Sequence, residues 1–477
     1  MATKKDLVEA YSFSRRRLVT AFVSGAPGGR EVEPARPGRM IVGGIALAVL
    51  LVAGAAVAGA LSDRADVDWD NPGLVTDDSG ALYIILDEKD SGGEPVLRPV
   101  INVTSAQLIL GSDEPAKNVP TEEIADRGKG SPIGILGAPA TVPPAGELIN
   151  SGWTACTGAD LGIKAHVGER TEVTPTPRSG FVVRGSRSKD YFLLAEAPAY
   201  DGMPARAYRY EMPDREDEQV YQAIGVATPS EAPTVPEEWL ELFPKGGSLD
   251  VEGLGIAGWG ERVAPATREE YGFPRNARYG DWFESGPRVI AVARDGFVEM
   301  STFAAAVLQS TPLGNRLPQE LPRPTTAAFG EQPYRESHWP EELLEEAPRD
   351  VELCGVLETA EDEEPAARLA IDPQGDASAQ GIPANRQEST VDSGHGAVVG
   401  SADWITADGG STHLIDERGF SYPLASQEEV DKLGYGRVSA VVVPDAWNKL
   451  FSAGPELSKD AALCPPAAAS KQTQTCS

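Results

Sequence analysis

Four histidines (His166, His338, His395, His413) and four cysteines (Cys156, Cys354, Cys464, Cys476) are the side chains here best suited to hold a metal or attack a carbonyl. Their spacing favours neither. The histidines lack metal-ligand separations, and cysteines 198, 110 and 12 residues apart match no zinc or redox motif. His395, in Ser393-Gly394-His395-Gly396, reads as a turn residue. No Gly-x-Ser-x-Gly occurs, so the strained elbow that presents a hydrolase serine is missing. A phosphate loop needs Gly-x-x-x-x-Gly-Lys-Ser/Thr, whose backbone N–H groups cradle the phosphates. The only Gly-Lys pair, Gly128-Lys129, is followed by Gly130, and Glu123 stands where the first glycine belongs. Paired acids such as Glu345-Glu346 and Glu363-Glu364 read as solvated faces. The expectation is a chain with no catalytic, metal or cofactor residues of its own.

The cysteines carry structure instead. In an oxidising compartment their default is the disulfide. Cys156 and Cys354 lie in folded-looking sequence and are expected to pair; Cys464 and Cys476, in a tail rich in Ala, Ser, Gln and Pro, are candidates for a second bond.

Charge places that compartment. The formal charge is −30, yet residues 1–39 hold eight Lys or Arg against four acids, so the remainder carries −34. A region that acidic is repelled by nucleic acid and by anionic lipid. Met40 to Leu61 is a run of 22 uncharged residues, about 33 Å of helix and enough for a hydrocarbon core. With Arg39 on its basic side, the positive-inside rule puts the N-terminus in the cytoplasm and everything after the span outside. Ala58-Gly59-Ala60 resembles a cleavage site, but a 39-residue arm and a 22-residue apolar run suit a retained anchor better than a cleaved signal.

The arm holds one predicted helix. Thr3 and Asp6 make a capping-box-like start, after which Leu7, Val8, Tyr11, Leu18, Val19 and Phe22 fall near one face and Arg15, Arg16 and Arg17 crowd the other. Such a face suits a lipid surface or a partner protein. Gly25 to Gly38 is a linker.

Beyond the span the sequence repeats itself. Val235-Pro236-x-x-Trp239-x-x-Leu242-Phe243-x-x-Gly246-x-x-Leu249 recurs 208 residues on as Val443-Pro444-x-x-Trp447-x-x-Leu450-Phe451-x-x-Gly454-x-x-Leu457. Tyr208 to Met212 and Phe420 to Leu424 precede the two copies as strands. Fainter copies run from Ala81 through Leu110 and from Val289 through Leu308, giving four α+β units of strand pair and short helix. The strand-like stretches Gly180 to Gly185, Gly253 to Arg262 and Gly396 to Ser401 are expected to form a core between them. Glu358 to Pro383, acid-rich and without apolar period, reads as a surface loop.

Several of these features together resemble the EccB family, a core membrane component of the type VII (ESX) secretion systems of actinobacteria. They are the basic arm, the early Arg run, the single span, Asp78-Ser79-Gly80-Ala81-Leu82-Tyr83 and Pro99-Val100-Ile101-Asn102 with Ser105-Ala106 and Leu110-Gly111. Pro139 to Pro143, Ser151 to Cys156, Tyr422-Pro423-Leu424, Leu433 to Gly436 and Val443-Pro444 extend the likeness over nearly the whole chain. The resemblance implies an α+β protein: one N-terminal transmembrane helix, then an elongated extracytoplasmic region with a β-rich central domain and four small α+β repeat domains. On this sequence the parts fall at 1–39 (arm), 40–61 (span), 62–120, 189–250, 288–335 and 403–462 (repeats), 121–188, 251–287 and 336–402 (central), and 463–477 (flexible tail). A disulfide in the central domain fits Cys156 with Cys354, whereas Cys464 and Cys476 are additions to the family pattern. The resemblance implies a structural subunit in the cell membrane that associates with itself, with the FtsK-like motor ATPase EccC, the multi-span EccD, EccE and a mycosin protease. Some members carry an ATPase label; the missing phosphate loop and the lack of ATP outside the membrane speak against hydrolysis here.

Overall fold

A computed structural model describes residue 11 and residues 69–86, 97–112, 114–212, 219–311, 319–320, 329–348, 350–375, 377–404 and 410–466. The predicted span, most of the arm, Cys476 and the end of the tail lie outside these residues. Among the described residues no helix is long and apolar enough to cross a membrane.

Among the described residues the mixed α+β architecture is organised as five sheets. Four share one connectivity. Three consecutive strands form an antiparallel meander, a short helix follows, and a short fourth strand returns beside the first. In chain order the meanders are Gly73–Asp77, Leu82–Ile85, Leu97–Pro99; Ser179–Gly185, Tyr191–Ala197, Arg206–Met212; Trp282–Ser285, Arg288–Ala293, Gly296–Met300; and Ala397–Ala402, Ser411–Ile415, Phe420–Pro423. The returning strands, Lys117–Val119, Thr234–Val235, Gln319–Glu320 and Val441–Pro444, all pair parallel to their first strand. Parallel pairing cannot be closed by a tight turn, which is why a helix intervenes each time. These crossover helices are Val103–Leu110, Gln219–Ile224, Thr302–Ser310 and Gln427–Lys432. Side chains start three of them: Asn102 accepts from the Ser105 N–H, Ser301 from Ala304 and Ser426 from Glu428.

The fifth sheet has six strands, in the order Gln387–Val391, Ile163–Val167, Trp153–Thr157, Glu352–Glu358, Ala366–Asp372, Thr174–Pro175. Its apolar face, with Trp153, Ala155, Leu357 and Leu369, packs into one core with the second and fourth sheets. A second core joins the second and third sheets through Tyr210, Ile224, Ile290 and Phe303. A third joins the first and fourth through Ile84, Leu108, Tyr422 and Val430. The packing order is therefore first, fourth, central, second, third.

Several sequence expectations need correction. Gly180 to Gly185 and Gly396 to Ser401 are strands, but they open the second and fourth sheets instead of building the central one. They are buried almost throughout, and a strand covered on both faces reads as a continuous core run. Gly253 to Arg262 contains no strand: Gly255, Gly258 and Gly260 have φ of 65°, 74° and 77°, and the chain turns repeatedly there. The acid-rich stretch from Glu358 is not all loop, because Ala366–Asp372 pairs along its length with Glu352–Glu358. Its inward residues include three alanines, too small to give a strong apolar signal, and the acids sit in the hairpin before it. Finally, Cys464 is buried, not in a mobile tail; its carbonyl accepts from the Gly134 N–H at 3.0 Å.

Candidate functional site

The recurrent Val-Pro-x-x-Trp segments meet on the central sheet. The returning strand ends at Val235 in one copy and at Pro444 in the other, and in each copy proline caps a one-turn helix, Glu237–Leu240 or Asp445–Asn448, for which its fixed φ is prepared. Trp239 and Trp447 are 0% and 1% exposed. Their indole N–H groups reach out of their own units. Trp239 donates to the Ala155 carbonyl of the central sheet at 2.9 Å, and Trp447 donates to the Leu242 carbonyl of the other copy at 3.0 Å. Both copies converge at Gly355, where a Cβ would lie 3.0 Å from Phe243 and 3.5 Å from Trp447.

On the opposite face of that strand Cys354 is bonded to Cys156, its direct cross-strand partner, in a small apolar cluster with Val173 and Ala370. Cys464 is also disulfide-bonded. Two buried indoles therefore link the second sheet's unit to the central sheet and the fourth sheet's unit to the second, while the disulfide staples two strands within the central sheet.

First-turn carboxylates tie each one-turn helix to its own sheet. Glu237 accepts from the Arg187 and Ser188 N–H groups at 2.9 and 2.6 Å and from the Ser186 hydroxyl at 2.9 Å. Burial alone would raise its pKa, but these donors outweigh it and hold the carboxyl at about 2. Asp445 accepts from the Ser401 hydroxyl at 2.6 Å.

The chemistry-bearing residues are dispersed. His166 lies between Thr390 (3.0 Å) and Asp392 (3.3 Å), and His413 between Ser411 and Ser421, both at 3.0 Å. Burial lowers the pKa of His413. His338 stacks on Tyr208, and His395 turns beside Glu147, as its glycine-flanked sequence predicted. Lys129, of the lone Gly-Lys pair, stands over the Tyr83 ring and donates to its hydroxyl at 2.9 Å. Among the described residues no three His, Cys, Asp or Glu side chains are placed to hold a metal ion. A cleft of about 500 Å³ over the central sheet has Arg368 bridging Glu358 (2.8 Å) and Glu196 (3.3 Å), and burial raises the pKa of Glu196.

Of the arm residues, Tyr11 is helical and exposed, and Leu7, Arg15, Arg16, Arg17, Leu18 and Phe22 lie outside the described residues. Sequence reading missed Arg206, which is 2% exposed and paired at 2.8 Å with Glu364 while donating to the Trp404 carbonyl. Nothing local marks it: its partners are about 160 and 200 residues away.

Meander-and-helix units packed around a central sheet, with two buried indoles bonded across units, make a sheet-rich scaffold. A family model described as "Type VII secretion system ESX-1, transport TM domain B" matches residues 1–468, and the chain belongs to this family, EccB. It is 26% identical to the "ESX-1 secretion system ATPase EccB1" of Mycolicibacterium smegmatis, covering 97% of this chain and 95% of that one. It is 27% identical to the protein of the same description from Mycobacterium tuberculosis H37Rv, covering 97% and 94%. In fold it is similar to a chain of an intact ESX-5 inner membrane complex (TM-score 0.55, 21% identity, 100% and 98% covered). It is also similar to EccB3 from a dimer of the ESX-3 core complex (TM-score 0.59, 21% identity, 82% and 100% covered).

Proposed function

We propose that this chain is a membrane-anchored structural subunit of a type VII secretion complex, supporting protein export by holding other subunits in place. The family match across residues 1–468 carries the reading, because it takes in the arm and span as well as the sheets. Residues 40–61 would cross the membrane with the arm in the cytoplasm and the sheets outside. The ectodomain would associate with further copies of itself and with a mycosin protease. The arm would meet the motor EccC and the channel subunits EccD and EccE. Each sheet of common connectivity, with its helix, would be one repeat domain. On this reading the second, third and fourth repeats begin upstream of 189, 288 and 403, so as to include Ser179–Gly185, Trp282–Ser285 and Ala397–Ala402.

The name ATPase carried by the relatives favours a second reading, hydrolysis by the ectodomain itself. Lys129 on Tyr83 and the bridging of Glu196 and Glu358 by Arg368 in the cleft over the central sheet favour the first. Native gels of gently solubilised membranes discriminate: we expect a large species that also contains motor and channel subunits. A lone species, or ATP hydrolysis by purified protein that one point change removes, would overturn the proposal.

A further inference from the structure

A strap, residues 332–346, is bonded to both the second and the third sheets. On the third-sheet side the Gln332 amide donates to the Glu299 carbonyl at 3.0 Å, and the Tyr334 hydroxyl accepts from the Ser301 N–H at 2.8 Å. The Glu341 carbonyl accepts from the Thr302 hydroxyl at 3.1 Å. On the second-sheet side the Leu344 N–H donates to the Ile224 carbonyl, and Glu345–Glu346 pairs with Ser179 and Gly180. His338 lies in the middle of the strap, in left-handed backbone (φ 50°) after the short helical stretch Pro333–Ser337. Its ring lies flat on Tyr208 of the second sheet, with 4.7 Å between centroids and 3° between planes. Its carbonyl accepts from the Tyr210 hydroxyl.

This place suits a neutral ring. The Nδ1 atom of His338 is buried and has no hydrogen-bond partner among the described residues. An imidazolium carries an N–H on both nitrogens, so charging the ring buries a donor with nothing to accept it, whichever tautomer the neutral form adopts. Burial opposes the charge most, Arg206 on the facing strand repels it, and Glu336 on the strap favours it; the pKa falls below the ordinary 6.5. Arg206 is itself paired with Glu364 at 2.8 Å. Burial pushes the Tyr208 and Tyr210 phenols up, so neither supplies an anion. Tyr200, Tyr334, Arg335 and Glu341 line a cavity of about 70 Å³ with the ring.

We propose that His338 is a proton-operated clasp: neutral, it holds the strap on the second sheet; protonated, it leaves Tyr208 for water and loosens the junction of the second and third sheets. A group whose folded-state value is lowered in this way disfavours the closed form in acid. The clasp therefore holds above the ordinary histidine value and weakens as pH falls below 6.5. It does not depend on the assembly reading.

The test is hydrogen exchange of the full-length chain in detergent micelles, read by mass spectrometry on peptides spanning 333–346. Protection is compared at about pH 7.5 and about pH 5.5, with each rate divided by the intrinsic rate at that pH. We expect wild-type protection to fall several-fold in acid, with about tenfold the limit that one proton sets over this interval. His338→Phe keeps a flat ring for Tyr208 and cannot take a proton, so its protection should be equal at both pH values. His338→Asn suits the left-handed backbone, should also lose the response, and stands in where the Phe variant fails to fold. His413→Gln removes another histidine that burial keeps neutral and should retain the wild-type response. Wild-type protection that ignores pH would overturn the proposal, as would a fall that persists without His338 or vanishes in His413→Gln.

Discussion

Two charged side chains show how differently this protein treats buried charge. Glu237 is a carboxylate held in a nest of backbone N–H groups, and its pKa falls from 4.5 to about 2. A depressed folded-state value means the stabilisation is present above the unfolded pKa and is lost as pH falls through the folded one. The window is therefore roughly pH 5 to 2, and the full effect is at most about 3 kcal/mol. Glu237→Gln should lose stability at neutral pH and show a flatter acid-denaturation curve across that window; an unchanged curve would mean the nest does not select the charged form. Arg206 is the opposite case, a guanidinium 2% exposed whose partner Glu364 is 27% exposed. Removing one member of a buried pair is costly because the other is stranded, by about 3–5 kcal/mol when both are buried. Here the strandings differ. Glu364→Ala leaves the guanidinium trapped, while Arg206→Met leaves a carboxylate that can turn to water. Denaturant melts should find Glu364→Ala the more damaging of the two.

At the scale of elements, the recurrent segments are the test of what a pattern can reveal. The fixed spacing of Val, Pro, Trp, Leu-Phe and Gly foretold two equivalent helices, and the structure has Glu237–Leu240 and Asp445–Asn448 at those places. It did not foretell the glycines' task. They do not close a turn: Gly246 packs on the Tyr210 ring and Gly454 on Tyr422, where a Cβ would come within 2.2 Å of a ring carbon in each case. Gly246→Ala and Gly454→Ala should each destabilise by about 1–3 kcal/mol through overpacking, measured by thermal or urea unfolding. Trp447→Phe keeps most of the ring but orphans the buried Leu242 carbonyl, which should cost about 1–3 kcal/mol on top of the lost volume. The parallel returning strands were illegible because two- to four-residue strands have no period to read. The opening strands were legible as strands but not as members of their sheets, since double-sided burial removes the alternation that assigns a face. Arg206 and the cleft over the central sheet come from residues far apart in sequence, and only the folded chain brings them together.

For the whole molecule, the question on the proposed topology is what would join sheets outside the membrane to work done inside it. If the proposed topology holds, a reporter active only in the cytoplasm should work when fused before Met40, and one active only outside should work after Asp70. The arm is then the only part of the chain that a cytoplasmic motor can touch. A basic arm that merely rested on anionic lipid would gain about 1 kcal/mol per Lys or Arg near the surface. Replacing Arg15, Arg16 and Arg17 would loosen that contact evenly, and the span would still anchor the protein, so export would persist. An amphipathic helix docked on partner subunits fails differently, because its apolar side chains fill a specific surface. Leu7, Tyr11, Leu18 and Phe22 fall near one predicted face. We expect polar substitution of these four to dissolve the large complex on native gels and halt secretion while the protein still reaches the membrane. An intact complex and normal export after those changes would return the arm to the lipid surface.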